Sequence, residues 1–142
     1  MGVREHFHHK NKSYYNQLQK VNVLNLNNEY FKNIEVLLKK ADLLITDYSS
    51  CYFDFLFLKK PCISFAFDYQ KYGGHERGFL HDPKTIFGQN LCFDFYNVLL
   101  RADELINKPY SINIDIFDTF YKFDDNKNTE RVINIIKNIT KS

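Results

Sequence analysis

The segment 41–55, ADLLITDYSSCYFDF, constrains the fold of this chain more than any other. Its residues 43–46 are four apolar or β-branched residues, which suit a buried strand and are too few for a helix. Asp47, Ser49 and Ser50 follow, and their short oxygen side chains can accept hydrogen bonds from the unpaired N–H groups of a helix start. The next residues are mostly apolar. The segment therefore predicts a strand, a tight turn and a buried helix in direct succession.

Such a turn leaves free backbone N–H groups at the carboxyl edge of a sheet, where the N–H vectors and the helix dipole favour an anion. Ligands of open α/β sheets also gather at this edge. We therefore interpret Ser49 and Ser50 as a phosphate-binding turn that acts mainly through its N–H groups. The alternative is that both serines only cap the helix.

Hydrophobic patterning predicts alternating strands and helices along the rest of the chain. Strands are expected at 3–6, 21–24, 43–46 and 62–67, and helices at 13–20, 31–40, 49–58, 96–106 and 129–139. This order implies an α/β fold with a parallel sheet and right-handed crossovers. The segment 68–88 has two adjacent glycines and little periodicity, so we expect a long functional loop there. The length and the 44% hydrophobic content fit a single domain over residues 1–142.

Charge and cysteine usage exclude several classes of protein. A net charge of +2 is too small to indicate nucleic acid as a partner. Cys51, Cys62 and Cys92 lack metal-ligand spacing and are expected to be reduced thiols. No apolar run reaches the roughly 20 residues that span a bilayer, and no secretion signal opens the chain. We therefore expect a cytoplasmic protein without a cofactor, and no residue is assigned as a metal ligand.

The motif ITDYSS, followed by Lys60-Pro61, Phe67-Asp68-Tyr69 and Glu76-Arg77-Gly78-Phe79, resembles the carboxyl-terminal half of the CDP-glycerol glycerophosphotransferases. Members of this family are polymerases and primases of teichoic acids and related capsular polymers. The resemblance extends from about residue 3 to residue 136. It implies a three-layer Rossmann-like domain, equivalent to the C-terminal, nucleotide-binding domain of a GT-B glycosyltransferase. It also implies that the N-terminal domain of the family has no counterpart here.

The resemblance assigns roles to individual residues. The turn at Ser49 and Ser50 matches the nucleotide-diphosphate cleft of the family, and Arg77 with Gly78 matches a phosphate-binding pair. A guanidinium can hold a phosphate through two parallel hydrogen bonds, and glycine lets backbone approach a ligand. His6 matches a catalytic or phosphate-neutralising histidine, which suits imidazole chemistry near neutral pH. The family pattern there is His-Pro, whereas this chain has His6-Phe7. His75 and His81 stay unassigned.

Three acidic residues are candidates for supporting polar contacts. Asp54 interrupts an apolar helix four residues after Ser50, and a carboxylate there needs partners or a cavity. It could contact a ribose or acceptor hydroxyl, or form a structural bond to a loop. Asp47 could contact the ligand or only cap the helix. Asp68 ends the strand 62–67 at the expected cleft, or caps the following turn.

The resemblance implies transfer of glycerol phosphate, or a similar alditol phosphate, from a CDP-linked donor to a hydroxyl of a cell-wall or capsule polymer. The donor is a substrate, and the isolated chain is expected to bind it with little turnover. Family members associate peripherally with the inner face of the plasma membrane, although no basic surface is evident here. The alternatives are half of a different nucleotide-sugar-dependent capsule glycosyltransferase, a non-catalytic flavodoxin-like or receiver-like interaction module, or an inactive gene remnant.

Overall fold

A computed structural model describes residues 1–5, 21–72 and 78–140 of the chain. These residues belong to two compact units, Met1–Ala41 and Asp42–Ser142. His6 and the predicted helix 13–20 lie outside the described residues, as do Arg77 and the rest of the segment 73–77. The prediction of a single domain over 1–142 stays a prediction.

The described residues of the first unit, 1–5 and 21–41, form a two-stranded parallel sheet and one helix. Strand β1, Gly2–Val3, pairs with β2, Leu24–Asn25. Helix α1 spans Ile34–Lys40 and begins at Asn33, whose side chain accepts a hydrogen bond from the Val36 N–H at 3.3 Å. This cap satisfies one of the donors that a helix start leaves unpaired. The two strands and the helix follow the predicted order, with shorter strands than the sequence predicts.

The Arg4 guanidinium fixes the chain that follows β2. It donates to the Leu26 carbonyl at 2.8 Å, to the Phe31 carbonyl at 2.7 Å and to the Asn28 side chain at 3.1 Å. A planar guanidinium presents several donors at once, so a single side chain can hold three acceptors. Arg4 therefore shapes the connection between β2 and α1.

The second unit is built on a three-stranded parallel sheet in the order β3–β4–β5. The strands span Leu44–Thr46, Cys62–Phe65 and Leu91–Cys92. In this register, Ser64 pairs with Thr46 on one side and with Leu91 on the other. Because all three strands run in the same direction, their carboxyl ends meet at one edge of the sheet.

Six helices and a 3₁₀ turn of the second unit are described. The helices are α2 (Cys51–Phe57), α3 (Tyr69–Lys71), α4 (Pro83–Phe87), α5 (Phe95–Asn107), α6 (Ile114–Phe120) and α7 (Asn128–Ile139), and Gly88–Asn90 forms the 3₁₀ turn. No helix among the residues described is long and apolar enough to cross a membrane.

The core of the second unit surrounds the central strand. Ile63 and Phe55 have no exposed surface, and Cys92 and Val98 are nearly as buried. Ile63, Cys92 and Val98 form one cluster, against which Leu43, Phe65, Ala102 and Leu105 pack. The three cysteines are free thiols, as predicted, and burial raises the pKa of the Cys62 thiol. The apolar run of β4 is thus covered on both faces, as is typical of a parallel strand.

Two parts of the predicted order are wrong. The segment 68–88 is not one long loop, since α3 and α4 lie within it. Asp82 caps α4 by accepting from the Lys84 N–H at 3.0 Å, and Pro83 occupies the first helical position, where its missing N–H costs nothing. Strand β5 and helix α6 were not predicted.

Helix α2 is also less buried than its sequence predicts. It buries Tyr52, Phe55 and Leu56, whereas Asp54 and Phe57 are exposed. One face packs on the core and the other faces solvent. Asp54 therefore does not need the buried partners that the sequence led us to expect.

Candidate functional site

The turn between β3 and α2, residues 47–50, lies open at the carboxyl edge of the sheet. Asp47 and Ser50 are exposed, and Ser49 is half-buried. The buried Ser64 hydroxyl of β4 donates to the Asp47 carbonyl at 3.3 Å and ties the turn to the central strand. The carbonyls of Ser49 and Ser50 accept the first hydrogen bonds of α2. Hydrogen bonds to β4 and α2 thus hold the turn in place, while Asp47 and Ser50 remain exposed to solvent.

The two serines contribute differently to the helix start. The Ser49 hydroxyl accepts from the Cys51 N–H at 3.4 Å, so it acts as a weak cap. Ser50 is the capping residue by position, with φ −61° and ψ −15°, yet its side chain makes no capping bond. The backbone N–H groups of Ser49 and Ser50 have no acceptor within the described parts of the chain. Two donors at a helix start are therefore available to a ligand.

Asp68, which follows β4, is bound to this turn. The Tyr48 hydroxyl donates to an Asp68 carboxylate oxygen at 3.0 Å. Burial raises the pKa of Tyr48 above its usual value, and the hydrogen bond to Asp68 raises it further. Asp68 makes no capping bond at the start of α3. Its side chain instead joins the turns after β3 and β4, which sets the shape of the carboxyl edge.

An aromatic cluster surrounds this link. Its members are Tyr48, Tyr69, Tyr72 and Phe79. The Tyr48 and Tyr72 rings stack with centroids 4.1 Å apart, and the Phe79 ring lies 5.3 to 5.4 Å from the rings of all three tyrosines. Ring pairs at these separations add stability beyond their buried area. The cluster packs the chain on either side of residues 73–77 against the turn after β3.

Gly78 adopts a conformation that only glycine enters easily. Its φ is +67°, and its N–H donates to the Tyr72 carbonyl at 3.4 Å. A Cβ added there would meet no atom within 4 Å, so backbone torsion and not crowding requires the glycine. The role in phosphate binding that the sequence predicts for Gly78 stays a prediction, as do those of Arg77 and His6.

A cavity of about 560 Å³ opens beside these turns, beyond the carboxyl end of β4. Phe67, Tyr69 and Phe93 supply aromatic walls, and Lys71 and Lys84 supply positive charge. Asp68 also lines the cavity. The volume lies within the ~300–1,000 Å³ that is usual for small-molecule sites. The sequence predicted only Asp68 here, although the aromatic run at residues 65–69 is a signal that could have found Phe67 and Tyr69.

The other acidic residues at this edge have distinct surroundings. Asp94, which follows β5, caps α5 by accepting from the Asn97 N–H at 2.9 Å, and this bond lowers the pKa of Asp94. Asp54 lies four residues after Ser50, and both are exposed. Within the described residues, no three histidine, cysteine or acidic side chains are grouped so as to hold a metal ion.

Comparison with known proteins decides the family. The model of the CDP-Glycerol:Poly(glycerophosphate) glycerophosphotransferase family matches residues 2–138. The chain belongs to this family. The predicted resemblance is therefore confirmed.

Two teichoic acid enzymes illustrate the relationship. The chain is 32% identical over 112 residues to the teichoic acid glycerol-phosphate transferase of Staphylococcus aureus (strain NCTC 8325 / PS 47), a match covering 75% of this chain and 28% of that protein. It is 37% identical over 114 residues to the teichoic acid poly(ribitol-phosphate) polymerase of Bacillus spizizenii (strain ATCC 23059 / NRRL B-14472 / W23), covering 75% and 17%. The chain thus spans about a quarter or less of the length of these relatives.

The fold agrees with a solved structure of the wall teichoic acid polymerase TagF. The TM-score is 0.71 at 26% identity, and the match covers 99% of this chain and 34% of TagF. A TagF structure obtained after a soak with CDPG matches with a TM-score of 0.70 at 25% identity, covering 99% and 35%. The predicted α/β class with parallel strands, similar to a GT-B-like polymerase, is confirmed.

Proposed function

We propose that this chain is the donor-binding domain of a transferase that moves glycerol phosphate, or a similar alditol phosphate, from a CDP-linked donor to a hydroxyl of a cell-wall polymer. The observation that carries the proposal is the open turn at residues 47–50, whose two N–H groups have no acceptor among the described residues, in a chain of this family. Backbone N–H groups at a helix start favour a pyrophosphate through their direction and their partial charge.

The turn and the neighbouring cavity suit the two parts of such a donor. The pyrophosphate would bind the N–H groups of Ser49 and Ser50, with Arg77 and Gly78 completing its coordination. The nucleoside would occupy the 560 Å³ cavity, where Phe67 and Phe93 offer apolar surface and Lys84 a positive charge. A TagF structure soaked with CDPG supports a nucleotide-linked ligand for this fold.

The reaction requires charge neutralisation and removal of one proton. The acceptor oxygen attacks the phosphorus that carries the alditol and forms a new P–O bond. The bond from this phosphorus to the bridging oxygen breaks, and CMP leaves with that bonding pair. The turn and Arg77 would stabilise the charge that develops on the leaving group. We assign His6 as the group that takes the acceptor proton, and Asp47 and Asp54 as polar contacts to hydroxyl groups.

Calorimetric titration of the chain with CDP-glycerol tests the proposal, and Ser50→Glu is the decisive variant. We expect binding that saturates at about 1 mM ligand or below. A carboxylate at residue 50 would repel the pyrophosphate and weaken binding by roughly tenfold or more. The same carboxylate at a helix start favours the fold, so the melting temperature should not fall.

Two control variants accompany this test. Thr129→Glu places an equal charge in the first turn of α7, and we expect donor affinity to be unchanged. Ser50→Ala removes a hydroxyl that makes no capping bond and should change affinity by no more than about threefold if the N–H groups dominate. Absence of binding to CDP-glycerol, or equal affinity for UDP- and GDP-linked compounds, would contradict a CDP-linked donor.

A further inference from the structure

A second cavity lies at the opposite edge of the β3–β4–β5 sheet, where the strands begin. Its volume is about 310 Å³. Lys60 and Asn90 line it directly before β4 and β5, and Tyr52 of α2 and Arg101 of α5 reach it from the flanking helices. Tyr110, in the connection between α5 and α6, lines it as well. None of these residues belongs to the carboxyl-edge turn or its cavity, so this is a separate site.

Two phenol groups that line this cavity have no hydrogen-bond partner in the described parts of the chain. Tyr52 is 7% exposed, and its ring packs 4.4 Å from the Phe87 ring. The hydroxyls of Tyr52 and Tyr110 make no hydrogen bond with any described residue. Among these residues no side-chain N or O that is sealed from solvent lacks a partner, so solvent reaches both hydroxyls, and both residues line the cavity. Tyrosine hydroxyls in such positions usually have a partner.

Both phenols stay protonated and act as hydrogen-bond donors. Burial is the main cause that raises the pKa of Tyr52 and of Tyr110. Ionisation of Tyr110 would raise the pKa of Tyr52 further, and the Arg101 charge opposes the rise at Tyr110. The two hydroxyls and the guanidinium therefore lie within electrostatic reach of one another.

The cavity lining contains two cationic side chains, one of which also forms an ion pair with Glu104 of α5. The lining includes Lys60 and Arg101 and no acidic side chain. Arg101 is held in place by Asn90, which accepts from Nε at 2.7 Å, and by Glu104, which accepts from Nη1 at 2.5 Å. Its Nη2 group has no acceptor in the described chain. A guanidinium oriented in this way loses little conformational freedom when it binds an oxyanion.

We propose that this cavity binds a small organic oxyanion, a phosphate monoester or a carboxylate, through Nη2 of Arg101 and the hydroxyls of Tyr52 and Tyr110. A cavity of 310 Å³ is at the lower end of small-molecule sites and is large for a bare inorganic ion. Amide and hydroxyl side chains of Asn90 and Ser111 line the same space and suit the polar groups of such a ligand. The inference does not depend on the donor site.

Amide chemical shifts of the full chain provide the test, with ribose 5-phosphate as the phosphate monoester and citrate as the carboxylate. At roughly 10 mM ligand, we expect at least one of them to shift the signals of Gly88, Asn90 and Tyr110. Ribose, which lacks the charge, should leave them unchanged. Any shift of the Ser49 and Ser50 signals should follow a separate binding curve that is unchanged in the cavity variants, whereas CDP-glycerol should move those two signals and not those of the cavity residues.

Two variants and one control complete the experiment. Arg101→Gln removes the charge and should weaken binding about tenfold. Tyr110→Phe removes only a hydroxyl that has no protein partner, so it should weaken binding about threefold without loss of the fold. Lys122→Gln removes a charge outside the cavity and should have no effect. The proposal is overturned if neither oxyanion shifts the cavity signals, or if the shifts persist unweakened in both cavity variants.

Discussion

Individual residues at the carboxyl edge show how far residue type predicts a role. Asp47, Asp68 and Asp94 follow the three strands of the second unit, and only the first two are candidates for polar contacts from the sequence. In the structure Asp94 caps α5 and Asp68 binds the Tyr48 hydroxyl, while Asp47 is exposed. The partner of Asp68 lies 20 residues away, and such a pairing depends on how β3 and β4 align. Composition and periodicity carry no information about that alignment.

The lowered pKa of Asp125 predicts a pH-dependent contribution of this residue to stability. Hydrogen bonds from Arg131, then from the Lys127 N–H, lower the pKa of Asp125 from 3.8 to about 2. A carboxylate with a lowered pKa stabilises the fold above its unfolded value, and this contribution is lost as the pH falls through the folded value. Asp125→Asn should therefore be less stable than the wild type at pH 7, and the difference should shrink between about pH 4 and pH 2.

Urea denaturation of both proteins across this range measures the difference. Asp118→Asn is the matched control, since Asp118 is an exposed carboxylate without an ion pair in the described structure. This control measures the effect of removing one exposed negative charge, and the pH-dependent change for Asp125→Asn should exceed it. A constant gap for Asp125→Asn would show that the pair with Arg131 does not form in solution.

Single elements were predicted best where apolar periodicity is long. The predicted helices 96–106 and 129–139 correspond to α5 and α7, with bounds that differ by about one residue. The predicted strand 43–46 corresponds to β3. Strand β5 has two residues and cannot display an alternating pattern. Asn113 caps helix α6, and its side chain accepts hydrogen bonds from the N–H groups of Asp115 and Ile116. Asparagine is a preferred capping residue, so this local signal could have predicted the helix.

Helices α5 and α7 differ in what they bury, although both are amphipathic. Val98 of α5 is 3% exposed, whereas Val132 of α7 is 55% exposed. Val98→Ala should lower the free energy of unfolding by about 1.5 kcal/mol because it leaves a cavity beside Ile63 and Cys92. Val132→Ala removes the same two methyl groups from a helix and should change it by less than ~0.5 kcal/mol, since alanine favours helix and little area is lost.

Chemical denaturation monitored by circular dichroism compares the two variants directly. Each replacement is valine to alanine in a helix of similar length, so differences in helix propensity cancel. Equal losses of stability would mean that the apolar face of α7 is covered in solution. That result would contradict the exposure seen in the structure.

At the scale of the whole molecule, the motif TDYSS and the residues after it predicted the family, and the match over residues 2–138 confirms it. The parallel arrangement of strands within each unit also agrees with prediction. The placement of His6 and Arg77 at the site stays a prediction of the resemblance, since both lie outside the described residues.

Catalytic turnover is a property of the whole molecule, and we predict that it is absent from this chain. The chain spans 28% of the Staphylococcus aureus relative and 34% of TagF. We expect the 142-residue chain to bind CDP-glycerol yet to release no CMP above the rate of an unrelated protein, because the parts of the relatives that these residues do not match would supply the acceptor contacts. Chromatographic detection of CMP measures this, and release that depends on Ser50 would contradict the expectation.

The positive φ of Gly78 determines which enantiomer of an amino acid fits at this position. With φ at +67° and open space around the α-carbon, the obstacle to an ordinary amino acid is its chirality and not its size. A D-alanine introduced by chemical ligation fits this torsion naturally and restricts the unfolded chain. Position 78 is thus a point where a mirror-image alanine would strengthen the native backbone and its L-enantiomer would strain it.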